Sequence, residues 1–492
     1  MIAVMGIVIS LGLLMILAYR NHSVLVIAPI CALCAVAIDG QYPLLATYTQ
    51  IFLDSLGKFV IRYFPLFMLG AIFGKLMEAS GSAHVLAQAT LRWLGKDRAL
   101  LALVLTCAIL TYGGVSLFVV VFTVFPLARE LFRQADLPLR LIPGAIALGA
   151  FTFTMTALPG TVQIQNLIPM PFFKTNAFAA PGMGCLAASI MFAVGMLWLT
   201  FRERQARRHR EGFFAHEEGP VLKTETSEAA RPSAASMRLG SAEPERVSGV
   251  EPEVGQVEAM ASARPGLVIA LAPLVGLMLL NFMCSQYWIP SLQADYLADK
   301  KFGATELSKV QGTWSAILGM LGGLVLVIVL NVRRLPQLPQ LMGAGAHSSL
   351  LPMFNAASEF GYGSTIAGLS GFAAIKGWIM SLAPSQPLIA EGLSVNVLAG
   401  ITGSASGGLS IALEAMGQTF YEQAIAAHIS TEVMHRVASL SCGGLDTLPH
   451  NGAVITLLLI CGSTHKQSYL DIFVVSVLGP VLATIIVIGL NC

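Results

Sequence analysis

Thr156-Ala157-Leu158-Pro159-Gly160-Thr161-Val162-Gln163-Ile164-Gln165-Asn166 is a polar, helix-breaking stretch in an otherwise apolar chain. Proline and glycine interrupt a helix, and the threonines, glutamines and asparagine need hydrogen-bond partners. A second such stretch, Thr447-Leu448-Pro449-His450-Asn451, lies near the other end. The chain has 492 residues, of which 55% are hydrophobic and 11% charged, and its mean hydropathy is +0.73. A soluble domain carries about 25% charged residues. The composition is that of a polytopic membrane protein, and long continuous apolar runs predict helical spans rather than a barrel. A net charge of +2 implies no nucleic-acid partner.

Apolar segments fall near 2–19, 23–39, 60–78, 98–127, 141–158 and 173–200, and again near 266–285, 312–331, 352–380, 385–402, 404–430, 443–463 and 469–490. They predict about 11 to 14 membrane segments, some of them half-helices or re-entrant hairpins. The first is read as a retained span, since no basic n-region or small-residue cleavage site accompanies it. Cys31 and Cys34 lie inside an apolar run and read as packing residues. No cofactor or metal site is expected.

Phe201 to Arg264 holds 10 basic and 11 acidic residues, more than a third of the chain's charges. Its composition predicts a disordered linker over 202–264, joining membrane halves at 1–201 and 265–492. Arginines 202, 204, 207, 208 and 210 directly follow a span, and Arg333 and Arg334 follow another. Both regions are placed on the cytoplasmic side, together with the loop carrying Arg129, Arg133 and Arg140.

The halves carry the same motifs in the same order. Phe73-Gly74 with Ser80-Gly81 matches Phe360-Gly361 with Ser370-Gly371. Gly113-Gly114-Val115-Ser116-Leu117 matches Gly407-Gly408-Leu409-Ser410-Ile411, and Leu158-Pro159 matches Leu448-Pro449. Paired interruptions in two halves of a membrane protein point to a transporter's binding site. Unwound backbone survives in a bilayer only where protein or a water-filled cavity satisfies it.

The candidate solute ligands of the first half are therefore Gly113, Gly114, Ser116, Thr156, Pro159, Gly160, Thr161, Gln163 and Asn166. In the second half they are Ser404, Ser406, Gly407, Gly408, Ser410, Thr447, Pro449 and Asn451. Helix N-termini at such breaks suit an anion such as a carboxylate. Ionisable residues inside spans need a reason. Asp446 and His450 flank Leu448-Pro449, and with Glu414 they are the candidates for proton coupling. Glu78 and Glu359 read as helix-end residues, Glu78 being spaced to pair with Lys75.

The runs Thr111–Val119, Phe151–Thr161 and Gln163–Asn166, with Gly403-Ser404-Ala405-Ser406-Gly407-Gly408-Leu409-Ser410, resemble the gluconate permease (GntP) family. The resemblance covers both hydrophobic halves. It implies a proton-coupled symporter for gluconate, other sugar acids or short hydroxy acids such as 3-hydroxybutyrate. It also implies two inverted repeats with re-entrant hairpins, a scaffold and a transport domain, elevator-type alternating access, a homodimer and the inner cell membrane. Tyr112-Gly113 and Leu158-Pro159-Gly160-Thr161 depart from the gluconate members and widen the substrate to small carboxylates, citrate-like acids included. Two rival readings are a passive anion channel and an intramembrane serine protease. The protease would use Ser370 of Gly368-Leu369-Ser370-Gly371, with His428, His435 or His450 as base.

Overall fold

The computed structural model describes residues 2–20, 22–115, 117–213, 264–382, 386–449 and 451–492. Ser116, His450 and all but the ends of the 202–264 segment lie outside the described residues. Among those described, every regular element is a helix. Six helical stretches are long and apolar enough to cross a membrane: Leu44–Ala79, Leu139–Thr156, Pro181–Arg208, Leu267–Ser291, Leu307–Arg334 and His465–Gly489. Shorter apolar helices at Ala3–Leu17, Val24–Asp39 and Pro387–Thr402 add to them. The chain is an all-α polytopic membrane protein.

Two long helices, Leu53–Ala79 and Leu338–Ala367, run against each other and hold the halves together. Small residues permit the close approach. A Cβ at Gly345 would lie 2.7 Å from the Ile72 Cα, and one at Gly361 would lie 2.7 Å from the Phe52 carbonyl. Each helix carries an internal proline, Pro65 and Pro352.

Two hairpins follow from glycine. The helix Ala99–Tyr112 ends at Gly113-Gly114, and the chain returns as Leu117–Gln134. The helix Pro387–Thr402 ends at Gly403 and returns as Ala405–Ala426. Gly114 has φ +86° and Gly403 φ +63°, a conformation in which a Cβ is strained. At 14 and 16 residues the entering helices fall short of the roughly 20 a bilayer demands.

This corrects the motif register. Gly407-Gly408 is not the counterpart of the Gly113-Gly114 turn; Gly403 is. Gly407 and Gly408 lie in the first turn of Ala405–Ala426, where a side chain would strike the Glu359 carboxylate and the Ala399 backbone. Their lack of a side chain serves packing.

Both Leu-Pro stretches are unwound. The helix Ile142–Ala150 gives way to irregular chain with a single turn at Phe153–Thr156, and regular structure resumes at Ile164–Leu167 and Met170–Phe173. The helix Thr431–Cys442 ends at Gly443, and Gly452–Ile460 begins after Asn451. Each resumed segment packs on the hairpin of the other half. Gly452–Ile460 lies on Leu117–Gln134, while Ile164–Leu167 and Met170–Phe173 lie on Ala405–Ala426.

The boundary at 201 also shifts. The helix Pro181–Arg208 continues past it because Arg202 bonds buried Asp471 at 2.8 Å and Glu203 pairs with Arg207 four residues on.

Gly408→Val drives two methyl groups into the backbone of the neighbouring helix. It is expected to cost about 1–3 kcal/mol and to lower the melting temperature in detergent. A transition unchanged from wild type would show that this crossing is not tight.

Candidate functional site

A cavity of about 480 Å³ opens where the two unwound stretches approach the hairpin turn at Gly403. Met155, Thr156 and Gln165 come to it from the first half. Gly403, Ser404, Ser406, Asp446 and Asn451 come from the second, and Asn355 and Glu359 project from Leu338–Ala367. Among the described residues no lysine or arginine lines it; His22 is its one potential cation.

Two helices of the second half begin at this cavity, and each is capped by a side chain on its wall. The Ser404 hydroxyl accepts from the Gly407 N–H at 3.1 Å, starting Ala405–Ala426. The Asn451 side-chain oxygen accepts from the Val454 N–H at 2.9 Å, starting Gly452–Ile460. Caps consume one orphan N–H each, and the remaining first-turn donors with the helix dipole favour negative charge. Two buried wall oxygens, Gln165 Oε1 and Asp446 Oδ1, have no partner among the described residues. A buried acceptor without a donor costs about 1–3 kcal/mol. A hydroxyl-bearing solute would supply those donors.

The unwound backbone itself is held by side chains. Asn166 donates to the carbonyls of Thr161 and Ala177, 2.9 Å each. Asn451 donates to those of Asp446 and Gly403, also 2.9 Å each. In both, one acceptor lies five residues back. Gln163 donates to the Thr111 carbonyl at 2.7 Å, and the Tyr112 hydroxyl to that of Pro159 at 2.7 Å, tying the first break to its hairpin. Arg436, fully buried on Thr431–Cys442, donates to the carbonyls of Thr156, Ala157 and Ala179 and to the Asn166 amide oxygen. Its neighbour His435 contacts the Thr175 hydroxyl and Asn166.

Of the ligands expected from the sequence, Thr156, Ser404, Ser406, Asp446 and Asn451 meet at the cavity. Gly113 packs on Leu274. Gly114 and Gln163 border a second cavity of about 490 Å³ that shares Phe67, Leu117, Ile164 and Pro352 with the first. Gly160 lies under the Phe178 ring and Thr161 is buried beside the Asn166 contacts. Thr447 bonds Ser476, the buried Ser410 hydroxyl lies away from the cavity lining, and Glu414 takes the Ser364 hydroxyl. Neither Pro159 nor Pro449 lines the cavity; each unwinds the chain beside it. Glu359, expected as a helix-end residue reaching the interface, is instead 2% exposed and on the cavity wall.

The sequence reading passed over Gln165 and Arg436, and weighed His435 only as the base of a protease. Glu432, His435 and Arg436 make Thr431–Cys442 look like a loop, yet nearly all of that helix is buried. Ser370 donates to Asp39 at 2.7 Å, whereas His435 is engaged with Thr175 and Asn166, so that serine and that imidazole do not form a pair.

A polytopic helical protein with a polar cavity between interrupted helices belongs to the class of membrane transporters. The GntP family permease model matches residues 1–227. An uncharacterized transporter of Bacillus subtilis (strain 168), YxjC, is 42% identical over 492 residues, covering 99% of this chain and 98% of the relative. An uncharacterized transporter of Haemophilus influenzae is 34% identical over 132 residues, covering 27% of this chain and 29% of the relative. The chain belongs to the GntP family of permeases. It is a multi-pass membrane protein, in a bacterium one of the inner membrane.

Arg436→Met removes the side-chain donor of the buried Ala157 and Ala179 carbonyls and leaves that of Thr156 to the Ser439 hydroxyl; a carbonyl left dry costs about 1–3 kcal/mol. The variant is expected to express poorly and melt well below wild type, and Arg436→Lys to fall between. Equal melting of the three in detergent would show that the break holds itself.

Proposed function

We propose that the protein takes up a small hydroxycarboxylate, such as gluconate or a short hydroxy acid, by proton symport. The observation that carries this reading is the cavity between the breaks. Two capped helix N-termini offer donors for a carboxylate, and unpartnered Gln165 and Asp446 oxygens offer acceptors for hydroxyls. A citrate-like acid fits less well, because its extra carboxylates would face Asp446 and Glu359 with no lysine or arginine on the wall.

The order of elements supports two repeats, read as inverted through the family resemblance. In each half a long proline-bearing helix leads to a hairpin with a left-handed glycine, then to an unwound Leu-Pro stretch and a final long helical segment. The exchange of post-break segments between halves supports a two-fold relation. On this reading the hairpins and breaks form a transport domain that moves as an elevator against a scaffold in a homodimer. Of the groups expected to couple protons, Asp446 reaches the cavity; we place it against a substrate hydroxyl.

Purified protein in proteoliposomes is expected to accumulate labelled gluconate or 3-hydroxybutyrate when the lumen is made alkaline, and to lose the gradient to a protonophore. Uphill uptake of no acid in a panel of hydroxycarboxylates would refute symport; uptake that merely equilibrates would indicate a channel. Gln165→Ala and Ser404→Ala each remove one neutral hydrogen bond of about 1 kcal/mol. Each is expected to raise KM for uptake roughly fivefold. An unchanged KM would take that residue out of the site.

A further inference from the structure

We infer that Glu359 is the group that carries the coupled proton, because its carboxylate and the substrate's compete for one helix N-terminus. This rests on the reading above. Glu359 projects from Leu338–Ala367 into the cavity wall and is almost fully buried. Its carboxylate lies against the first turn of Ala405–Ala426. The Ser404 hydroxyl is 3.5 Å from Glu359 Oε2, and the missing Cβ of Gly407 makes the room. That turn is where a bound carboxylate would find its donors.

Among the described residues no cation compensates Glu359. The other ionisable side chains on the cavity wall, among the described residues, are Asp446 and His22. The charges on helices packed around it are engaged elsewhere. On Val24–Asp39, Asp39 takes the Ser370 hydroxyl. On Leu53–Ala79, Lys58 pairs with Asp54, Lys75 with Glu78, and Arg62 sits over the Phe172 ring. On Ala405–Ala426, Glu414 takes the Ser364 hydroxyl and Glu422 the Gln418 amide. Phe372–Leu382 carries Lys376, which lies outside the cavity lining.

A carboxylate removed from water without a partner is neutralised by a proton or a cation. When the cavity is empty Glu359 can give its proton to water, and the carboxylate then lies beside the positive helix end. An arriving anion takes that place, and two negative charges cannot share it, so substrate entry requires a proton on Glu359. By linkage the proton raises substrate affinity as much as substrate raises proton affinity. The proton arrives from water on one side of the membrane and leaves to water on the other, and no bond of the substrate changes.

The test is calorimetric titration of the full-length protein with gluconate and with 3-hydroxybutyrate, in buffers of different ionisation heat. Wild type is expected to take up about one proton per anion bound, its Kd weakening up to tenfold per pH unit in alkaline solution. Glu359→Gln is expected to take up none and to show a flat Kd, while Glu359→Asp keeps the uptake. Asp446→Asn is expected to weaken binding and keep the proton. Proton uptake persisting in Glu359→Gln overturns the assignment and leaves proton symport standing, whereas its replacement by a sodium requirement in wild type overturns the assignment and proton coupling together, with only the carboxylate site left. Wild type that binds neither anion overturns both. Should Glu359→Gln not fold, infrared difference spectra of glutamate-labelled wild type decide the matter. A gluconate-induced protonated-carboxyl band that depends on the label is expected, and its absence overturns the proposal.

Discussion

Backbone that leaves a helix inside a bilayer must find hydrogen-bond partners in the protein, and here one buried guanidinium serves three of its carbonyls. Pro159 removes an N–H and forbids the helix from continuing, which strands carbonyls on either side. Arg436 answers Thr156, Ala157 and Ala179 from the opposite half of the chain. The residues it joins are up to 280 positions apart in sequence. A long-range contact of this kind decides where the first break lies relative to the second, and so where the cavity is. Five planar donors suit the task in a way that a lysine ammonium does not.

The two breaks solve the same problem to different degrees. Asn166 and Asn451 make the same turn-closing bond to a carbonyl five residues earlier. Beyond that they diverge. The first break is also held by Arg436, Gln163 and Tyr112, and its backbone is spoken for. The second is held by Tyr469 at the Thr447 carbonyl and by His465 at the Pro449 carbonyl, Pro449 is exposed, and Asp446 Oδ1 has no partner among the described residues. A wall that must stay in place is better built from saturated groups, whereas a wall that binds a solute must keep some donors and acceptors free. On the proposed reading the second break makes most of the direct contact with the solute, with Thr156 and Gln165 as the first half's share.

The class of protein and the existence of both breaks were legible in the sequence, because composition, proline and glycine act locally. Five of the residues that meet at the cavity were also legible, since a hydroxyl, amide or carboxylate beside a helix break in an apolar chain has few other uses. The misreadings share one cause. Gly407-Gly408 copies the spelling of Gly113-Gly114, but the residue that must be glycine is the one at positive φ, and spelling does not carry dihedral angles. Glu359 and Arg436 resemble interfacial charges until tertiary contacts show what surrounds them. Thr447 and Ser410 are polar and close in sequence to an interruption, yet the turn before Pro449 aims Thr447 at Ser476 and the helix Ala405–Ala426 buries Ser410.

Charge placement then ties fold to chemistry. The cavity wall holds two carboxylates and no arginine or lysine among the described residues, while a guanidinium without a carboxylate partner lies directly behind Thr156. An anion would meet repulsion from the groups it touches and attraction from one it cannot reach. At an effective dielectric near 20 a full charge one residue deeper still contributes on the order of 1–2 kcal/mol, comparable to a hydrogen bond. A cation in direct contact would hold the anion too tightly to release it and would need its own counter-ion when the site is empty. On the proposed reading, fixing the positive charge in the backbone scaffold, and leaving the wall to helix ends and a carboxylate that can be neutralised, would let an anion enter and leave without a cation in direct contact.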